Sequence, residues 1–191
     1  DIGNSVVRRF HPEDSDYKRL TETLVLGGDG LFSRPSGIAI DLHGNVYVVD
    51  TYRHLVVKFT RDGALLTTWG GFGETEGRLQ FPTDIAVHGE TVYVVEGGPI
   101  HRVQQFDLNG GFIRAWKSFG TDYADSYEDL SIAVGPDGFV YVTHPPSARI
   151  LKFTLSGALF LSWGNWEYPP GELSYPIGIA LDANGGVYVT D

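Results

Sequence analysis

A short apolar segment that contains a tyrosine returns four times along the chain, each time between turn-forming residues. Its copies occupy residues 45–50, 91–96, 139–144 and 186–191, and the first copy reads Asn-Val-Tyr-Val-Val-Asp. The tyrosines Tyr47, Tyr93, Tyr141 and Tyr188 are therefore separated by 46, 48 and 47 residues. A fixed period of this size is the sequence signature of an architecture built from repeated units.

Three further segments accompany each copy of the tyrosine segment. An apolar segment comes before it, at residues 37–41, 84–87, 131–134 and 178–182. A segment that ends in Phe comes after it at Phe59, Phe106 and Phe153, and the chain opens with the same segment, which ends at Phe10. The last segment ends in Trp69, Trp116 and Trp163, and Leu26 takes this place in the first copy. Each period therefore predicts four short strands joined by tight Gly-containing turns.

The polarity of these segments predicts where each strand lies. The first segment of each period is apolar at nearly every position, which favours an inner strand buried on both faces. The third segment carries Arg9, Lys58 and Lys152 among apolar residues, which favours an outer strand half in water. Four strands in about 47 residues, without a helical stretch, are typical of a β-propeller blade. We predict an all-β chain that forms one propeller domain or propeller segment over residues 1–191, with repeats at about 1–49, 50–95, 96–143 and 144–191.

The order of these motifs resembles the NHL repeat. The shared pattern is a Pro, Gly-Ile-Ala-x-Asp, Gly-Asn-Val-Tyr-Val-x-Asp, an Arg or His, Val-x-x-Phe and Trp-Gly, and it covers nearly the whole chain. The resemblance implies a β-propeller of four-stranded antiparallel blades, usually six of them. The third copy departs from the pattern because it lacks the leading Pro, has His144 as its last residue and contains an acidic insertion at residues 121–129. The second copy ends in Glu96.

The number of repeats leaves two arrangements open. Asp1 aligns with Asp50 and Asp191, so the chain holds about four periods. In the first arrangement the chain is part of a six-bladed propeller, and its uncovered blade faces self-associate or pack against the remainder of a longer chain. The absence of Met at every position, including the first, favours this arrangement. In the second, residues 175–191 pair with residues 2–27 and close a four-bladed ring.

The position that ends the second strand is the strongest candidate for chemistry. It is occupied by Asp1, Asp50, Glu96, His144 and Asp191. At one rim of a propeller these side chains would form a ring, and carboxylate oxygens suit Ca²⁺ whereas imidazole suits Zn²⁺. We therefore predict Asp50, Glu96 and His144 as possible metal ligands. The alternative is structural, because a repeated Asp at a strand end caps the following loop through backbone N–H groups.

The residues that follow this position are candidates for binding a partner. They are Tyr52, Arg53, His54, His101, Arg102 and Arg149. Trp166 and Tyr168 join them because they are extra to the repeat, and such aromatics mark a partner or sugar contact or else pack under a loop. The acidic insertion, which also holds two tyrosines, predicts either a loop that binds a cation or a basic partner or a solvated insertion.

Composition and missing motifs narrow the function. The formal net charge is −10 and the longest basic runs are pairs, so nucleic acid is excluded as an expected partner. No apolar stretch approaches the roughly 20 residues of a membrane span. The chain has no Cys, which excludes disulfides, thiolate metal sites and a Cys nucleophile. The acidic, Cys-free composition favours an extracellular or periplasmic protein.

No Gly-x-Ser-x-Gly elbow, phosphate-binding loop or His-Glu-x-x-His motif occurs. We therefore predict a non-catalytic interaction or scaffold propeller that binds a protein, peptide or glycan through its rim loops and needs no cofactor. The alternative follows from the resemblance, because propellers of this kind include amidating lyases and lactonase-type enzymes. It is a metal-dependent lyase or hydrolase.

Overall fold

The apolar segments found in the sequence form short β-strands, and tight turns join them. The structure is a computed structural model that describes residues 5–13, 19–28, 30–117, 129–164 and 172–191. The strands are β1 (Val7–Pro12), β2 (Leu20–Leu26), β3 (Pro35–Ile40), β4 (Val46–Asp50), β5 (Leu55–Phe59), β6 (Leu65–Gly70), β7 (Pro82–His88), β8 (Thr91–Glu96), β9 (Arg102–Asp107), β10 (Phe112–Lys117), β11 (Ile132–Val134), β12 (Phe139–His144), β13 (Arg149–Thr154), β14 (Leu159–Trp163), β15 (Gly178–Leu181) and β16 (Val187–Thr190). The described helical structure is one 3₁₀ turn, Pro145–Ser147.

Consecutive strands pair antiparallel and form the predicted blades. β3–β6, β7–β10 and β11–β14 are three four-stranded sheets in which each strand neighbours the next along the chain. β1–β2 and β15–β16 are two-stranded sheets before and after these complete blades. This all-β architecture of four-stranded antiparallel blades confirms the predicted fold class.

The cores lie between neighbouring blades. One buried cluster joins Tyr93 and Val103 of the second complete blade to Val142 and Phe153 of the third. Another joins the first complete blade to the second in the same way. The first strands of successive blades also pack side by side, β3 against β7 and β7 against β11. Packing of this kind arranges the blades around a common axis, as the repeat predicts.

A Trp–Gly contact fixes the first complete blade against the second, and another fixes the second against the third. Trp69 packs under the turn at Gly110 of the following blade, and Trp116 packs under the turn at Gly157. A Cβ at either glycine would lie 2.5 Å from the indole ring, and the φ angles are +89° and +91°. Only Gly meets both requirements, because other residues avoid positive φ and carry a Cβ.

Burial along the strands differs from the prediction at the first strand β3 and at Lys58. The second strands β4, β8 and β12 are buried almost throughout. The first strand β3, predicted to be buried on both faces, instead alternates between buried and exposed residues. Lys58, predicted to be half in water, is buried because its Nζ donates a hydrogen bond to the carbonyl oxygen of Leu108 (2.8 Å) in the next blade.

The described residues form an open arc rather than a closed ring. β1–β2 and β15–β16 stay separate two-stranded sheets, so the pairing of residues 175–191 with residues 2–27 is absent from the described part of the chain. The closed four-bladed alternative is therefore not what this structure adopts. Nowhere in the described residues is there a helix with the length and apolarity that a membrane span requires.

Candidate functional site

In every complete blade, the loop between the second and third strands lies at the same end of the blade as the segment that precedes the first strand. We call this end the rim, and it consists of residues 33–36, 50–55, 80–84, 96–102, 129–131 and 144–149. Hydrogen bonds from the residue that ends each second strand hold these segments together, as described next. The rim contains the predicted site residues that the structure describes, apart from Asp191.

The repeated acidic residue fastens the start of its own blade. The carboxylate of Asp50 is fully buried and accepts hydrogen bonds from the backbone N–H groups of Ser33 (2.6 Å) and Arg34 (2.9 Å). It also accepts one from the backbone N–H of Arg53 (3.2 Å) in the loop that follows. Asp191 accepts the equivalent pair from Ser174 and Tyr175. The sequence left a capping role and a metal role open for Asp50. In the structure its carboxylate caps the following loop and also the segment that precedes the first strand of its blade.

Glu96 holds the same place in the second complete blade and forms an ion pair with Arg102 of its own blade. It accepts hydrogen bonds from the backbone N–H of Gln80 (2.6 Å) and from Nε of Arg102 (2.7 Å). Burial raises the pKa of the Glu96 carboxyl, and the Arg102 guanidinium opposes this rise. Arg102 also donates to the carbonyl oxygens of Glu74 (2.5 Å) and Arg78 (2.8 Å). Arg102, predicted to face a partner, is buried and holds the rim together instead.

His144 and His101 form a buried pair of rings. Their centroids are 5.8 Å apart with the planes nearly perpendicular, and both side chains are buried. Nδ1 of His144 lies 2.5 Å from the hydroxyl oxygen of Ser147. Burial lowers the pKa of His144 to about 3, and the nearby His101 and Arg149 act in the same direction. The imidazole of His144 is therefore neutral at physiological pH.

His54 contacts other residues of the protein through both its ring nitrogen and its ring face. Its Nδ1 accepts a hydrogen bond from the backbone N–H of Phe81 (3.0 Å), so this nitrogen carries no proton. Its ring packs between the rings of Phe72 and Phe81, at centroid distances of 4.9 and 4.6 Å. Burial lowers the pKa of His54. The side chain therefore joins two blades and is only partly accessible to a partner.

The three predicted metal ligands do not meet around one point in the described structure. Within residues 5–13, 19–28, 30–117, 129–164 and 172–191, no group of three or more His, Asp or Glu side chains could hold an ion. Asp50 and Glu96 direct their oxygens to backbone N–H groups and to Arg102. Asp1 lies outside the described residues. The binding of Ca²⁺ or Zn²⁺ stays a prediction.

The exposed part of the rim is formed by arginine and tyrosine. Tyr52 is 58% exposed, and Arg53 and Arg149 are also exposed. The guanidinium of Arg34 lies over the Tyr52 ring, 5.3 Å from its centroid, and pairs with Asp129 at 3.3 Å. The sequence prediction missed Arg34, although it directly precedes the Pro that begins the first strand of its blade.

A small cavity of about 270 Å³ opens between the starts of the first strands. Polar side chains of three blades line it, among them Arg34, Thr83, Asp84 and Ser131. Asp84 accepts hydrogen bonds from the hydroxyl of Ser131 (2.6 Å) and the backbone N–H of Ile132 (3.0 Å), and burial raises its pKa. Asp84 therefore ties two blades together at the wall of the cavity.

Two predicted partner residues and most of the acidic insertion are not among the described residues. Trp166 and Tyr168 lie outside the described residues, and so do residues 118–128. Asp129, the last residue of the insertion, is described and forms the ion pair with Arg34.

Comparison with known proteins supports the repeat and the fold. Residues 32–59 match the family model of the NHL repeat, which confirms the resemblance to NHL-repeat β-propellers. A stretch of 76 residues, 39% of this chain, is 29% identical to Protein brain tumor of Drosophila melanogaster, of which it covers 7%.

Solved structures that are similar in fold to this chain include two lyase structures and a protein of unknown function. A streptogramin B lyase structure superposes with a TM-score of 0.61 at 19% identity, over 82% of this chain and 47% of that one. A catalytically inactive virginiamycin B lyase from Staphylococcus aureus, with quinupristin, gives 0.62 at 19% identity over 82% and 48%. A protein of unknown function from Bacteroides caccae gives 0.62 at 14% identity over 91% and 58%. The chain thus spans about half the length of these proteins, and the likeness concerns the propeller fold alone.

Proposed function

We propose that this NHL-repeat propeller is a non-catalytic interaction module that binds a protein, peptide or glycan through its rim. The observation that carries the proposal is the division of the rim into two groups of side chains. The acidic residues and Arg102 are occupied by contacts inside the protein. Tyr52 and Arg149 face solvent, and Arg53 is also exposed although its guanidinium donates to the carbonyl oxygen of Gly30.

The chemistry of the exposed group suits recognition. Tyr and Arg are enriched among the residues that contribute most to protein interfaces, because both offer large contact areas and directional donors. The Arg34 guanidinium already stacks on the Tyr52 ring, so the pair presents a flat surface held in place before binding. NHL repeats commonly mediate protein interactions, which agrees with this assignment.

The cavity beside this surface limits what can enter the protein at the rim. Its volume of about 270 Å³ lies below the roughly 300–1,000 Å³ of sites that enclose a small molecule. It accommodates one side chain or one sugar ring, while the rest of the ligand lies on the rim. Arg34 at its edge favours a ligand group with an acceptor oxygen.

A paired selection experiment tests the proposal. Random peptide and glycan libraries are selected against three proteins: the native chain, the rim variant Tyr52→Ala/Arg53→Ala and the control variant His88→Ala/Glu90→Ala. The control residues are exposed and lie in the β7–β8 turn at the opposite end of the blades. We expect the native and control proteins to enrich the same ligands and the rim variant to lose them. Equal enrichment by all three proteins, or none by any, would contradict the proposal.

A metal-dependent lyase or hydrolase is the second candidate function. Two observations favour it: the fold likeness to streptogramin B and virginiamycin B lyases, and the neutral His144 beside His101 at the rim. Incubation with quinupristin or a lactone, with and without Ca²⁺ or Zn²⁺, measures this activity. Turnover that depends on the metal and is lost in His144→Ala would establish the enzyme and overturn the non-catalytic assignment.

A further inference from the structure

Two copies of the repeat depart from its glycine at the start of the first strand. Gly37 and Gly178 hold this place in the first and fourth copies, whereas Asp84 and Ser131 hold it in the second and third. The residues that follow, Ile and Ala, are the same in all four copies. A carboxylate and a hydroxyl therefore replace glycine in two neighbouring complete blades, at the wall of the rim cavity.

Glycine is the residue that the close approach of these strands favours. A Cβ on Gly37 of β3 would lie 2.6 Å from the Cα of Asp84 of β7 and 2.7 Å from its Oδ1. The absence of a side chain at Gly37 thus leaves the space that the Asp84 carboxylate occupies. A carboxylate here carries a desolvation cost that glycine does not. A departure from the local rule at such a cost indicates a functional role.

Neutral groups donate all the hydrogen bonds that the Asp84 carboxylate accepts from the described residues. The donors are the hydroxyl of Ser131 (2.6 Å) and the backbone N–H groups of Ile132 (3.0 Å) and Ile85 (2.9 Å). A carboxylate offers about four acceptor positions, so one position is left. Among the described residues, no Lys, Arg or His forms an ion pair with Asp84. A cation in the cavity would favour the charged form of this carboxyl.

The charges around the cavity favour a ligand with one positive charge. Its ionisable side chains are Arg34, Asp84 and Asp129. Arg34 pairs with Asp129 at 3.3 Å and stacks on the Tyr52 ring, so these two opposite charges offset each other at the edge of the cavity. The charge of Asp84 is left over, and the whole chain carries a formal net charge of −10. Charge complementarity therefore selects a cation.

The acceptors suit an ammonium group better than a guanidinium group. A guanidinium prefers two parallel hydrogen bonds to one carboxylate, and Asp84 has one acceptor position left. An ammonium is a compact charge with three donors that can point in different directions. The hydroxyl oxygens of Ser36 and Thr83 line the same cavity, and hydroxyl oxygens accept hydrogen bonds as well as donate them.

We propose that this cavity binds the ammonium group of a lysine side chain from a protein partner, and that Asp84 is its counter-ion. The inference rests on the proposed function and names the chemistry of the partner. The four-carbon stem of the lysine enters the cavity of about 270 Å³, and the partner's backbone lies on the rim. Arg34 at the edge then donates to a carbonyl oxygen of that backbone.

n-Butylammonium, which matches the end of a lysine side chain, tests the cavity without a partner. A fragment of five non-hydrogen atoms should bind with a Kd of about 1–10 mM. In ¹H–¹⁵N spectra of the chain, the amide signals of Ile85 and Ile132 should shift until the site is saturated, because both amides donate to Asp84. n-Butanol has the same length without the charge and should bind at least about tenfold more weakly. Unshifted Ile85 and Ile132 signals, or equal binding of n-butanol, would overturn the proposal.

A pair of Asp→Asn variants locates the counter-ion. Asp84→Asn keeps the shape of the side chain and removes its charge, so it should weaken n-butylammonium binding about tenfold to a hundredfold. Asp62→Asn makes the same change at an exposed residue in the β5–β6 turn, at the opposite end of its blade, and should bind as the native chain does. Equal affinity of the two variants would overturn the proposal.

A second variant covers the case in which Asp84→Asn does not fold. Asp84→Gly introduces the residue that the repeat has at Gly37, and it should lose n-butylammonium binding in the same way. Native affinity in Asp84→Gly would overturn the proposal. The shifts of Ile85 and Ile132 in the native chain decide the question should neither variant fold.

Peptide selection connects the cavity to a partner. A random peptide library is selected against the native chain and against Asp84→Asn. We expect lysine to be enriched in the native pool and to stay at its input frequency in the Asp84→Asn pool. Selected peptides that depend on Tyr52 and Arg53 but carry no excess of lysine would leave the proposed function in place and overturn this inference.

The two tests together separate a lysine side chain from a free amine. Shifts of Ile85 and Ile132 with n-butylammonium, without any selected peptide, would assign the cavity to a small free amine. That outcome would overturn both the lysine side chain and the proposed interaction with a peptide. Shifts together with a lysine-rich peptide pool would support both.

Discussion

Replacing Asp50 by alanine is the most direct test of how the rim is held. The carboxylate of Asp50 is fully buried and accepts backbone hydrogen bonds from Ser33 and Arg34 at 2.6 and 2.9 Å. Alanine leaves these two N–H groups without their acceptor in a place that water does not readily reach. Each such group costs about 1–3 kcal/mol, so the free energy of unfolding should fall by about 2–6 kcal/mol.

The expected change in thermal stability follows from this value. For a domain of this size, 1 kcal/mol corresponds to about 2–4 °C in Tm, so Asp50→Ala should lower Tm by about 4–24 °C. Differential scanning calorimetry measures Tm directly, and urea unfolding gives the free energy. Asp50→Asn keeps one acceptor oxygen and should fall between the native protein and Asp50→Ala.

Asp191 provides a matched control for this experiment. It accepts the same pair of backbone hydrogen bonds, from Ser174 (2.7 Å) and Tyr175 (2.6 Å), but it is exposed. Water can replace its carboxylate, so Asp191→Ala should cost less than about 1 kcal/mol. If Asp50→Ala and Asp191→Ala lower Tm equally, burial does not determine the strength of these contacts and the reasoning fails.

Three further measurements test other parts of the structure. His144 has a pKa of about 3 in the folded protein, against about 6.5 when unfolded, so its contribution to stability is complete above pH 6.5 and is lost as the pH falls from 6.5 towards 3. Urea unfolding at pH 7, 6 and 5 measures the difference in the free energy of unfolding between the native protein and His144→Gln. This difference should shift by up to about 1.4 kcal/mol per pH unit, and a constant difference would refute the expectation. Gly110→Ala places a Cβ 2.5 Å from Trp69 and should lower stability by more than about 2 kcal/mol, whereas Gly185→Ala, also at positive φ but with open space around it, should cost about 1 kcal/mol. Ca²⁺ or Zn²⁺ should leave Tm unchanged because the rim carboxylates already have partners, and a saturable rise in Tm would instead support the predicted metal site.

The blades could be predicted from the sequence because their signals are local. Alternation of apolar residues, Gly turns and the regular return of Tyr47 and its equivalents all act within a few residues of one another. Repetition adds a second source of information, since four copies in register exclude an accidental match. The repeat pattern also identified Trp69 and Trp116. Their contacts with glycines of the next blade could be seen only in the structure.

The environments of the charged residues could not be predicted in this way. Lys58 and Arg102 look solvent-facing in the sequence, yet both are buried because carbonyl oxygens from distant segments accept their hydrogen bonds. Those acceptors lie 50 and 24 residues away, in positions that only the folded arc brings close. Arg34 escaped notice for the same reason, since the Tyr52 ring and Asp129 that surround it come from other parts of the chain.

The Trp–Gly contacts give the arc a mechanical direction. Two joints between complete blades consist of an indole from one blade seated under the turn of the next, Trp69 under Gly110 and Trp116 under Gly157. Between the β1–β2 hairpin and the first complete blade, Leu24 and Leu26 lie against Gly63 instead. An aliphatic side chain offers less contact area than an indole. Under a pulling force the β1–β2 hairpin should therefore detach before the three complete blades separate from one another.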